Sequence, residues 1–86
     1  MNAKNLLDLK TQLEAFRQKI DEEISDTDQL IRLRMNGQFH VLSLKIQPEL
    51  ATEKIEQLLP VLFTRAIDAV AEQIRTKLEN LQAAQN

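Results

Sequence analysis

The chain has 86 residues, and its 11 basic and 13 acidic side chains leave a formal net charge of −2. That size allows one small domain, and the absence of cysteine excludes disulfides, thiol nucleophiles and thiolate zinc sites together. The acidic pI of about 5.3 also weighs against a strong general attraction to nucleic-acid phosphates.

An apolar fraction of 43% is too high for a disordered chain, and aromatics at 3% make the core aliphatic, mostly Leu and Ile. No apolar run approaches the ~20 residues of a membrane span, and MNAKNLLDLK has neither the apolar block nor the cleavage site of a secretory leader. The expectation is a soluble cytoplasmic protein.

In chain order, Leu6, Leu9, Leu13, Phe16, Ile20 and Ile24 recur at spacings of three and four, which predicts an amphipathic helix over about 3–24. The polar cluster Ser25-Asp26-Thr27-Asp28 ends it. Two apolar-rich runs, 30–35 and 38–46, then flank Asn36-Gly37, the strongest short hairpin signal because both residues accept positive φ. A two-residue loop sets Met35 opposite Gln38, Leu33 opposite His40 and Ile31 opposite Leu42. One face of this hairpin then carries Ile31, Leu33, Met35, Leu42, Leu44 and Ile46, and covers helices. The other sets Arg32 opposite Val41 and Arg34 opposite Phe39, followed by Ser43 and Lys45.

Pro48 ends the second strand, and Thr52 is placed to cap a second helix over about 52–82 whose first turn holds Glu53 and Glu56. Pro60 predicts a kink or break in it. The fold class is α+β. Helices this long do not fit inside a compact monomer, whose radius of gyration would be roughly 12 Å. A symmetric homodimer supplies the missing partner surface.

Residues for chemistry are few. His40 is the only histidine, so one chain holds no histidine-based metal site, and its place in the hairpin predicts a core-facing or rim residue satisfied by backbone groups. Glu22 with Glu23, and Asp26 with Asp28, sit in a polar helix end and loop and read as a solvated face or cap rather than catalytic pairs. One glycine makes no phosphate loop. No enzyme activity, cofactor or metal is expected. By segment the net charge is −1 over 1–24, +1 over 25–48 and −2 over 49–86. Only the hairpin is positive, and the physics of its Arg32, Arg34, Phe39 patch fits nucleic acid, a dimer interface or ordinary exposed sheet equally.

The stretch Ile31 to Leu50, IRLRMNGQFHVLSLKIQPEL, resembles the core signature of the YbaB/EbfC family of bacterial nucleoid-associated proteins, with Asn36-Gly37 and Pro48-Glu49-Leu50 as its most specific pieces. The likeness continues through Leu58-Leu59 to Ala66-Ile67-Asp68. Gln47 stands where the family has Asp, and Pro60 where it has a helix-compatible acid.

The resemblance implies an α-β-β-β-α protein, its long second strand bending into two, that forms an intertwined or tweezer-like homodimer. It further implies duplex DNA binding with little sequence preference, a nucleoid location and a role in nucleoid organisation or gene regulation. The cations available for phosphate contact are Lys4, Lys10, Arg17, Arg75 and Lys77 on the helical arms, with Arg32 and Arg34 on the sheet. The alternative is a structural or adaptor dimer of the same fold that binds a protein partner and not DNA.

Overall fold

The computed structural model describes residues 3–84. The elements run α1 (Ala3–Lys19), β1 (Asp21–Ser25), β2 (Ile31–Asn36), β3 (Val41–Ile46) and α2 (Thr52–Ala84). The three strands form one antiparallel sheet in the order β1-β2-β3. The α+β class and the two helical segments agree with the sequence pattern, and the differences lie in what joins them.

The first helix stops at Lys19, five residues short of the expected end, and Asp21–Ser25 forms an edge strand instead. The third strand is thus cut from the end of the predicted helix, not from a bend in the second hairpin strand. Three consecutive acids at a helix C-terminus would oppose its dipole. As a strand, the same residues set Glu22 and Ile24 on one face and Asp21, Glu23 and Ser25 on the other. The link from β1 to β2 is tied by the Asp26 carboxylate, whose Oδ1 accepts from the Ile31 amide at 2.8 Å and whose Oδ2 accepts from the Asp28 amide at 3.3 Å. These amides hold the nearly buried Asp26 carboxyl below its usual pKa, the Ile31 bond contributing most.

The hairpin forms, but with a different turn and register. Asn36 closes it: its amide donates to the His40 carbonyl at 3.0 Å, its carbonyl accepts from Phe39 at 3.1 Å, and its Oδ1 accepts from the Gln38 and His40 amides. The loop is therefore Gly37-Gln38-Phe39, and Phe39 takes the left-handed conformation (φ 64°) while Gly37 does not. The pairing becomes Met35 with Val41, Leu33 with Leu44 and Ile31 with Ile46, and a bulge leaves Leu42 without an opposite number.

Gly37 is needed for closeness rather than for φ. A Cβ there would sit 2.2 Å from the Arg17 carbonyl oxygen, because Gly37, the buried residue of the loop, is seated on the end of α1. Arg17 Nε donates to the Gly37 carbonyl at 2.9 Å across the same contact. His40 is exposed at the hairpin rim.

The second helix runs unbroken for 33 residues through Pro60. Its cap is Ala51, whose carbonyl accepts from Lys54 and Ile55, and Thr52 is the first helical residue rather than the cap. Leu62, Ala66 and Val70 form its buried stripe. Ala66 and Val70 meet Leu33 and Met35 of the sheet and Ile20 of the α1–β1 link, with Phe16, Ile24, Phe63 and Ile74 packed around them. Beyond the sheet the far half of α2 packs on α1 as an arm. The molecule measures 56 × 17 × 15 Å, with a radius of gyration of 16.7 Å. That exceeds the roughly 12 Å of a compact chain of this length.

Candidate nucleic-acid interface

Because side chains alternate along a strand, the register sorts the sheet into two unlike faces. The face toward α2 is apolar except for Glu22, which accepts from the Gln73 side-chain amide. The outer face is polar throughout: Asp21, Glu23 and Ser25 on β1, Arg32 and Arg34 on β2, and Ser43 and Lys45 on β3. Its charge runs from acidic at the β1 edge to basic at β3.

Arg34 is neutralised within the sheet, donating through Nε and a terminal nitrogen to both carboxylate oxygens of Asp21. The hydrogen bonds to Arg34 lower the Asp21 pKa, and the same bonds raise that of Arg34. Arg32 stands directly opposite Lys45. Neither makes an ion pair among the described residues. The Arg32 guanidinium donates to Gln29 Oε1 at 2.8 Å, and Gln29 holds the left-handed conformation (φ 56°). Gln29, Arg32, Lys45 and Gln47 share an open hollow of about 270 Å³ at this end of the sheet.

The expected helical cations are largely engaged elsewhere. Arg17 holds the hairpin tip. Arg75 pairs with Glu72, which raises its pKa. Lys77 lies 5.5 Å from the centre of the Phe16 ring. Lys10 borders an apolar hollow lined by Leu6, Leu9, Leu13 and Leu78. The side chain of Lys4 lies outside the described residues. Three of the five, Arg17, Arg75 and Lys77, are thus already engaged within the chain. The expected register already set Lys45 on the face of Arg32 and Arg34; the three-residue loop together with the bulge at Leu42 brings it directly opposite Arg32.

A second surface is apolar and uncovered. The second helix packs on β1 and β2 but not on β3. Val41, Leu42, Leu44 and Ile46 stay 42%, 47%, 40% and 36% exposed. Arg65 reaches the Ser25 carbonyl at 3.3 Å, which fixes the flank of α2 that faces β1. At 100° per residue, Pro60, Phe63 and Ile67 project from the opposite flank, toward β3. Ile55, Leu59, Pro60 and Phe63 line an open hollow of about 490 Å³ there.

Among the described residues there is no metal-binding cluster of His, Cys, Asp or Glu, and no helix long and apolar enough to cross a membrane. No protein-family model and no curated protein matches the chain.

Proposed function

We propose that the protein is a non-enzymatic homodimer that binds the backbone of duplex DNA with little sequence preference, in nucleoid organisation or gene regulation. The reading rests on one observation. The stretch Ile31–Leu50 that resembles the YbaB/EbfC signature folds as strand, tight turn and strand within an α-β-β-β-α chain, the order that the resemblance implies.

The uncovered apolar surface supports the dimer. The chain exposes 6203 Å², against about 5,200 Å² for a compact monomer of its mass. The excess of about 1,000 Å² exceeds the ~800 Å² that each partner contributes to a standard interface. A second copy seated over β3 and the adjoining flank of α2 removes that excess. It also covers an open strand edge that otherwise invites indiscriminate pairing. Of the sequence-based cations, Lys10 and Arg32 have neither an ion pair nor a ring contact among the described residues and are free to meet phosphate.

Two measurements test this. Sedimentation equilibrium at micromolar concentration is expected to give about twice the 9.9 kDa chain mass, and a species of single-chain mass would refute the dimer. A mobility-shift titration is expected to retard duplexes of unrelated sequence, with affinity falling steeply as salt rises. No retardation of any duplex at low salt would refute DNA binding.

That second outcome would favour an adaptor dimer that binds a protein. The engagement of Arg17, Arg34, Arg75 and Lys77 within the chain supports that alternative. So does a net charge of −2 that each copy adds to the assembly.

A further inference from the structure

We infer that the hollow bounded by Gln29, Arg32, Lys45 and Gln47 on the outer face of the sheet seats a phosphate of the duplex backbone, and that this face, rather than the helical arms, is the main phosphate contact; the inference rests on the DNA-binding reading above. Arg32 and Lys45 are paired across adjacent strands, and like charges so placed repel. No ion pair offsets the repulsion among the described residues. An anion between them converts it into attraction.

The rest of the hollow suits the same ligand. Gln29 and Gln47 add neutral amide groups, and its lining carries no carboxylate. Gln29 sits at φ 56°, a backbone region that favours glycine, yet its side chain is what holds the Arg32 guanidinium, at 2.8 Å. A non-glycine residue kept in that region to orient a charged group is the kind of strain that ligand sites retain. The neighbouring cation Arg34 is already spent on Asp21, so the contact centres on Arg32 and Lys45. A guanidinium beside an ammonium offers a planar fork and a point charge to one phosphate.

The test is fluorescence anisotropy on a short labelled duplex of arbitrary sequence, titrated between about 50 and 200 mM salt. The double variant Arg32→Gln with Lys45→Gln is expected to bind about ten-fold more weakly and, because both cations meet one phosphate, to lose about one unit of salt slope per protomer. Lys19→Gln with Lys54→Gln removes the same charge from residues outside the hollow's lining and is expected to stay within about two-fold of the parent.

Thermal melting of the sheet variant is expected at or above that of the parent, because a repulsive pair is gone, so weak binding cannot be blamed on unfolding. Normal binding by the sheet variant, with the loss confined to Lys10→Gln and Lys77→Gln, would overturn the inference while leaving DNA binding intact. No binding by the parent chain would overturn both. Inorganic phosphate is the second probe: if it perturbs the Gln29 and Arg32 amide resonances and the duplex does not, the hollow is a small-anion site and the inference fails.

Discussion

Replacing Gly37 with alanine tests whether the hairpin tip is seated on α1. The new Cβ would lie 2.2 Å from the Arg17 carbonyl oxygen and 2.7 Å from both its carbonyl carbon and its Cα. All three are backbone atoms of a helix end, so no side chain can swing aside. The tip must withdraw by about 1 Å to restore ordinary contact. That movement breaks the 2.9 Å bond from Arg17 Nε to the Gly37 carbonyl.

Overpacking of this kind costs about 1–3 kcal/mol, and a hydrogen bond from a charged donor about 1.5–3 kcal/mol. Gly37 does not have positive φ, so alanine recovers about 0.4–1 kcal/mol of unfolded-chain entropy. The expected net loss is about 1.5–5.5 kcal/mol, a large share of the ~5–15 kcal/mol that holds a typical domain together. Urea denaturation followed by circular dichroism at one fixed protein concentration measures it.

Gly37→Asn separates closeness from conformation. If the residue served only to supply positive φ, asparagine would be nearly neutral; because any Cβ collides, it is expected to cost as much as alanine. A loss below about 0.5 kcal/mol for both variants, the level of an indifferent surface change, would refute the seated tip.

Leu33→Ala empties a fully buried position between β2 and α2, and is expected to cost about 2–5 kcal/mol in the same assay. Pro60→Ala restores an amide donor inside a continuous helix, and is expected to stabilise by about 1–3 kcal/mol, read as a higher melting temperature. Asp21 and Asp26 both have folded pKa values below their ordinary 3.8. Their contribution is therefore complete above that pH and lost as pH falls through the lower folded values. Stability is expected to decline from about pH 4 downward, and in Asp26→Asn, measured by thermal melts across that range, the decline is expected to be shallower. Leu44→Asp puts a charge on the uncovered inner face of β3; in sedimentation it is expected to shift the proposed dimer to single chains with the helical circular dichroism retained.

The amino-acid sequence by itself determined the two helical stretches, the presence of a hairpin next to Asn36-Gly37 and the α+β class, because each is written in local periodicity and turn chemistry. It did not separate β1 from α1, since Ile20 and Ile24, four residues apart, satisfy the helical period and twice the strand period equally. Tertiary contact decided it: Ile24 pairs with Leu33, and Glu22 meets Gln73, 51 residues away.

Register was likewise decided in three dimensions, where Phe39 turns left-handed and the Gly37 tip is wedged beneath Arg17. From that shift follows the placement of Lys45 directly opposite Arg32 on the outer face. The sequence counts cations but does not say which are spent, and only the folded chain ties Arg34 to Asp21 and Arg75 to Glu72 while leaving Arg32 and Lys45 side by side. The reason is physical: amphipathic period is a property of neighbours along the chain, whereas register and charge pairing depend on groups that meet only after the chain has closed on itself.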